Sequence, residues 1–224
     1  MSLRKWSGGV SALVLAGVLM VGCERTPAKP EGPGKTGQPG KPAPGKTEKK
    51  PGPAGKTDVV KLSADGRTLL KYCGDAAEFT VPAGVTVIGE GAFAESRELT
   101  GVTLPEGVTT IGERAFASCQ NLRSVTIPAS VTTIGKEAFW WCSNLTTVTI
   151  PRGVTTVGEG AFAKCNLAAL TLPEGVATVG SKAFAGNTGL ASATIPPGTV
   201  IGEGAFNECP CEALVKERFP DYKR

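Results

Sequence analysis

One feature limits this chain more than any other: it repeats itself every 22 or 23 residues. Pro82, Pro105, Pro128, Pro151, Pro173 and Pro196 keep that beat, and so do Phe93, Phe116, Phe139, Phe162, Phe184 and Phe206. Four residues before each Phe stands a glycine: Gly89, Gly112, Gly135, Gly158, Gly180 and Gly202. The unit reads approximately L-x-x-V-T-I-P-x-x-V-T-T-I-G-x-x-A-F-x-x-C-x-N. A fixed period of this size marks a stack of small units that cannot bury their apolar faces alone.

The unit translates into local structure as follows. Leu99, Val102 and Leu104, with Thr103 between the last two, alternate as a short strand with one face buried. Pro105 ends the strand because it has no N–H to give a ladder. Val108 and Ile111 point inward from a second extended stretch, Gly112 turns the chain, and Ala115-Phe116 begins a helical or 3₁₀ turn. Asn121, Asn144 and Asn166 precede the next strand, where an amide can satisfy loop backbone groups. Each unit buries about five large apolar side chains, contributing roughly 1.5–3 kcal/mol apiece. Ordering its backbone costs at least as much, so only the stack folds. Two single-residue deletions, near Cys165-Asn166 and within Pro197 to Ile201, fall in connecting segments. The expected fold is an α/β repeat: a short curved solenoid of six units at residues 78–209. Strands lie on the concave face, with turns, 3₁₀ or short helices opposite. Residues 58–77 form an N-terminal hairpin cap turning at Asp65-Gly66. Residues 210–224 form a C-terminal cap, in which Leu214, Val215 and Phe219 have helical spacing.

The remaining segments cannot join that core. Arg4 and Lys5 precede an apolar run from Val10 to Val21, so residues 1–22 read as a secretory leader. At about a dozen residues the run is shorter than the roughly 20 a membrane span needs. Leu19-Met20-Val21-Gly22-Cys23 resembles a bacterial lipobox, which makes Cys23 the expected site of lipidation. Residues 24–57 carry eight prolines and eight Lys or Arg against three Glu. Such a composition buries almost nothing and gives a tether. Of the chain's net charge of +4, the leader holds +2 and the tether +5, leaving residues 58–224 near −3. That domain has no basic stripe, and nucleic acid is not an expected partner.

The units resemble the BspA-type leucine-rich repeats of bacterial surface proteins, including those of treponemes. Val125-Thr126-Ile127-Pro128, Val131-Thr132-Thr133-Ile134-Gly135, Ala138-Phe139 and Cys142 carry the match. The resemblance implies a curved, non-enzymatic scaffold on the cell surface that attaches to host matrix proteins, host cells or other bacteria.

Chemistry has few places to hide. The chain contains no histidine, which removes the usual general base, the Ser-His and Cys-His nucleophile pairs and the commonest metal ligand. No catalytic residue, metal site or cofactor is expected. Glu90, Glu113, Glu159 and Glu203 form an acidic column that reads as a solvated face. Cys119, Cys142, Cys165 and Cys209 each stand three residues after the repeat Phe, with Ser96 and Asn187 in the other two units. They read as a ladder of packed thiols. A Cys209–Cys211 or cap disulfide ranks behind that, and a thiolate metal site last.

Two surfaces are candidates for binding a protein ligand or a second copy of the chain. Thr80, Thr103, Thr126, Thr149, Thr171 and Thr194 form one outward column of a nearly uncharged strand face. The other is Trp140-Trp141, where the remaining units hold Ala-Glu, Ala-Ser, Ala-Lys, Ala-Gly and Asn-Glu. Exposed aromatic residues on rigid scaffolds are frequent hot spots. The expected protein is a lipoprotein held to a membrane by Cys23, at the cell surface or outer membrane, with a periplasm-facing, self-assembling protein as the alternative.

Overall fold

The structure, a computed structural model, describes residues 59–223. The leader, Cys23 and the tether fall outside the described residues. Six successive coils follow an opening hairpin. The hairpin pairs β1 (Val60–Leu62) antiparallel to β2 (Thr68–Tyr72). Its loop is longer than the two-residue turn expected at Asp65-Gly66. Ser63 N–H donates to Thr68 O at 2.9 Å, and Asp65 Oδ1 inside the loop accepts from Arg67 N–H at 3.0 Å. Gly66 lies in the left-handed region there, at φ 71°, a conformation that costs glycine nothing.

Each coil contributes up to two short parallel strands. The second stretch of the unit forms the unbroken ladder: β4 (Val87–Ile88), β6 (Thr110–Ile111), β8 (Thr133–Ile134), β9 (Thr156–Val157), β11 (Thr178–Val179) and β13 (Val200–Ile201). Together with the hairpin they make one eight-stranded sheet. The strand expected at Leu99–Leu104 exists, but its ladder breaks. β3 (Glu78–Thr80), β5 (Gly101–Thr103) and β7 (Ser124–Thr126) form one sheet; β10 (Ala169–Thr171) and β12 (Ser192–Thr194) form another. The fourth coil's Thr147 to Thr149 pairs with neither. The break sits in the coil that leads into the deletion at Cys165-Asn166.

No repeat contains a helix. The segment opposite the strands is a succession of turns, and among the described residues the single helix is α1 (Glu212–Arg218) in the C-terminal cap. Of the turns, 3₁₀ or short helices expected opposite the strands, the coils have turns, and the six-unit repeat solenoid is the fold found. The turn chemistry explains why. In every coil the residues two before and two after the Phe have positive φ, as at Arg114 (51°) and Ser118 (60°). Alternating handedness points successive N–H groups along the stack instead of along a helix axis. Arg114, Phe116 and Ser118 N–H donate to Lys136, Ala138 and Trp140 O at 2.9, 2.7 and 2.8 Å. These bonds recur between coils and form a third ladder, so the backbone of the turns is paired as fully as a sheet.

The core is a column of rings. Phe93, Phe116, Phe139, Phe162, Phe184 and Phe206 are fully buried, and successive centroids lie 4.8–5.5 Å apart with nearly parallel planes. Tyr72 covers the first ring at 5.1 Å and Tyr222 the last at 6.2 Å. Both tyrosines also close the turn ladder: Tyr72 N–H donates to Ala92 O, and Tyr222 Oη accepts from Phe206 N–H at 2.9 Å. Val215 of α1 is buried as expected, but Leu214 is 63 % exposed. Tyr222 covers the terminal ring in its place.

The repeat glycine is needed for close approach rather than for turning. A Cβ added at Gly135 would stand 2.7 Å from the backbone carbon of Gly112, and one at Gly158 would stand 2.6 Å from that of Gly135. No side chain fits between the coils at that point.

Candidate functional site

Directly behind each ring the recurring cysteine faces inward. Cys142 Sγ–H donates to Phe116 O at 3.1 Å, and Cys119, Cys165 and Cys209 make the same bond one coil back, to Phe93, Phe139 and Phe184 O. Asn187 fills the slot in the fifth coil. Its amide donates to Phe162 and Phe184 O at 2.8 and 2.7 Å and accepts Leu167 N–H at 3.0 Å. One coil earlier, the deletion has shortened the Cys165 connection, and the longer amide spans the resulting gap. Cys119, Cys142, Cys165, Cys209 and Cys211 are buried free thiols, so the packed ladder is the arrangement found and Cys209 is not disulfide-linked to Cys211. Burial pushes the Cys119 thiol up to about 12, and a hydrogen bond with Cys165 together with burial holds Cys142 well above its ordinary range. Thiols this reluctant to ionise are poor nucleophiles and poor metal ligands. Among the described residues no group of three or more His, Cys, Asp or Glu could hold a metal ion.

The outer side of the same turns is different. Ala94, Ala117, Ala163 and Ala185 form a low shelf one residue after the Phe of their coils, interrupted by Trp140 in the third coil and ended by Asn207 in the sixth. Its indole stands between two depressions. One, of about 720 Å³, opens toward the hairpin and is lined by Lys71, Glu90, Glu95, Arg114 and Ala117. The other, of about 260 Å³, lies toward the C-terminal cap beside Ala163, Lys164 and Ala185. Lys164 Nζ lies 5.8 Å from the Trp140 ring, and the Trp141 ring lies 5.5 Å away at 58°. Arg114 and Glu137 are bonded at 2.6 Å, and Lys136 and Glu159 at 3.3 Å. These pairs are largely solvated and contribute little to stability. The carboxylates of the acidic column are exposed, as a solvated face requires.

Trp141 is the anomaly of this surface. It is 44 % exposed, and its φ is 58°. The backbone at that place is left-handed in every coil, where Gly186 occupies the fifth and Glu95, Ser118, Lys164 and Glu208 the others. A bulky residue is costly in that region. Its ring lies outside the buried core and touches the Trp140 ring, 5.5 Å away.

On the strand side, Thr103, Thr126, Thr149, Thr171 and Thr194 are all exposed, as is Thr80. Thr103 pairs with Thr126, and Thr171 with Thr194. Thr149 stands in the break, so the column is two short ladders rather than one continuous face.

A family pattern described as BspA type leucine rich repeat region matches in six copies, spanning residues 66–191 and 110–219. The chain belongs to the BspA-type leucine-rich repeat family. Its fold is that of the leucine-rich repeat protein of Treponema pallidum (22% identity, TM-score 0.63, covering 75% of this chain and 96% of that one). It is also similar to a leucine rich cell surface protein of Faecalibacterium prausnitzii (35% identity, TM-score 0.61, 67% of this chain and 44% of that one). A leucine-rich repeat protein of Bacteroides ovatus is 30% identical, with TM-score 0.57, and the match covers 64% of this chain and 40% of that one. The chain thus spans less than half the length of the last two. A comparison with curated proteins returns no match. BspA-type repeats form scaffolds suited to protein–protein interaction, generally without catalysis. The sequence singled out both candidate faces. It missed the turn ladder and its left-handed positions, which show only as a tolerance for Gly in the columns flanking the Phe.

Proposed function

We propose that this chain is a non-enzymatic surface lipoprotein, anchored through Cys23, that binds a protein partner through the turn ridge around Trp140 and Trp141. The observation that carries this reading is Trp141: an exposed aromatic residue kept in a left-handed position that does nothing for the core. Such a residue costs stability where it stands and is explained by what it contacts. The paired backbone beneath it supplies the rigidity a binding hot spot needs. The Thr columns provide a second, flatter contact. The partner class proposed is a protein on host matrix, host cell or neighbouring bacterium, and the location the outer face of the cell envelope.

Protease shaving of intact cells, with a periplasmic protein as leakage control, tests the location. Loss of the repeat domain while the control survives supports surface display. Survival of both sinks it and favours the second reading, a periplasm-facing protein that self-assembles. That reading draws on the same uncharged Thr columns, which lack the charged guards that keep strand surfaces apart. Binding of the full chain to immobilised matrix proteins, with and without Trp141→Ser, then tests the ridge.

A further inference from the structure

We infer that the C-terminal end of the solenoid pairs with the same end of a second copy: β13 of one chain lies antiparallel to β13 of the other, joining the two eight-stranded sheets. The starting point is what each coil offers the next. Ala177 and Val179 O in the fifth coil accept from Val200 and Gly202 N–H of the sixth at 2.9 and 2.7 Å. The register sets Thr178 beside Val200 and Val179 beside Ile201. Thr199 and Ile201 therefore repeat the places of Ala177 and Val179, and their carbonyls point past the last coil. β13 ends its sheet, and among the described residues no further strand receives them. Val215 of α1 is buried at this end, yet no backbone group of α1 bonds to β13.

The two ends of the stack treat their edges differently. At the hairpin end β1 carries exposed Lys61, and β3 begins with exposed Glu78. A charge on an edge strand keeps other strands away. At the far end neither β12 nor the stretch Thr199 to Gly202 holds a charged residue. Val200 stands where the four preceding coils hold Thr110, Thr133, Thr156 and Thr178. At 66 % it is the most exposed of the large apolar side chains among the described residues.

The edge is complementary to itself, which makes a second copy the occupant. About a twofold axis at Ile201, the two Ile201 residues face each other and exchange both N–H···O bonds. Each Val200 then falls opposite Gly202 of the other copy, which has no side chain to meet it, and each Glu203 opposite Thr199. No like charges are brought together. A twofold contact uses one patch twice and closes at two copies. Strands this short bury less than the standard interface of about 1,600 Å², so the dimer is weak and forms with rising concentration. The inference needs neither the tryptophan ridge nor the lipid, and its surface is not the Thr columns.

Sedimentation equilibrium of the full chain in detergent tests it. A monomer–dimer equilibrium is expected; a monomer at every concentration up to the solubility limit would overturn the inference, and species larger than a dimer would overturn the twofold arrangement. Val200→Lys gives this edge the guard that Lys61 provides at the other and sets two like charges close together. It should weaken the dimer by roughly tenfold or more without changing the thermal midpoint. Thr126→Lys, on the separate three-stranded sheet, should leave the dimer as it is. A dimer untouched by Val200→Lys, or weakened by Thr126→Lys instead, would overturn the pairing in favour of the Thr columns. Amide exchange in the parent needs no substitution: Ile201 N–H should exchange more slowly as concentration rises. Exchange independent of concentration would also sink the pairing.

Discussion

The two sides of each turn are a few ångströms apart in the same residues, yet they follow different rules. Inside, Phe139 and Cys142 repeat a pattern that their neighbours in adjacent coils share almost without change. Outside, Trp140 and Trp141 break a column that is otherwise small or charged. The inner side is constrained by contact with the same residue one coil away, so any change must fit the stacking distance. On the outer side the contacts between coils are solvated pairs such as Arg114–Glu137 and Lys136–Glu159, so a residue there can change with little cost to its neighbours. Uniformity therefore marks what holds this fold together, and a departure from it on the outer side marks what the fold is for.

The sharpest way to break that comparison is at the centre of the ring column. Phe139 is fully buried between Phe116 and Phe162, at 5.0 Å from each. Phe139→Ala removes both contacts and opens a cavity between stacked coils. A loss of about 3–5 kcal/mol is expected, measured by urea unfolding. A loss below about 0.5 kcal/mol, the range of ordinary surface substitutions, would mean that the inner column is not what holds the coils together.

The thiol ladder provides a second measure of the inner side. Cys119 has a folded-state value of about 12 against an ordinary 9.0. Since the folded value is raised, the stabilising difference is fully present below pH 9. It is lost as pH rises, because the unfolded thiol ionises while the folded one cannot. By pH 11 the loss is about 2–3 kcal/mol at ~1.4 kcal/mol per pH unit. Stability should therefore fall from pH 9 to 11 less steeply in Cys119→Ala than in the parent. Identical slopes would place that thiol in contact with water.

How much of this was legible beforehand differs between the two sides for the same reason. The ring column, the thiol ladder and the coil count were readable because a constraint repeated in space repeats in sequence. Which of turns, 3₁₀ or short helices would lie opposite the strands was not readable, because residues such as Arg114 and Ser118 carry no local signal for positive φ. Only the ladder bonds from neighbouring coils hold them there. The break at Thr147 to Thr149 was hidden as well, since those residues match the pattern and the shortening comes later in the same coil, at Cys165-Asn166. Tyr222 was missed because it occurs once and lies beyond the helix that seemed sufficient as a cap.

The smallest expected change in stability separates the two sides most clearly. Trp141→Gly removes a side chain from a left-handed position, where a non-glycine residue costs roughly 1–2 kcal/mol. It returns part of that gain as the greater freedom of an unfolded glycine, about 0.4–1 kcal/mol. The net expectation is a stability equal to the parent's or higher by about 0.5 kcal/mol, opposite in sign to every substitution on the inner side. Binding of a protein partner should fall at least tenfold in the same variant, a change worth about 1.4 kcal/mol. Chemical unfolding and partner titration on one preparation would measure both. If Trp141→Gly lowered stability by more than 1 kcal/mol, the indole would be a packing residue after all, and the outer side of the turn would obey the same rule as the inner.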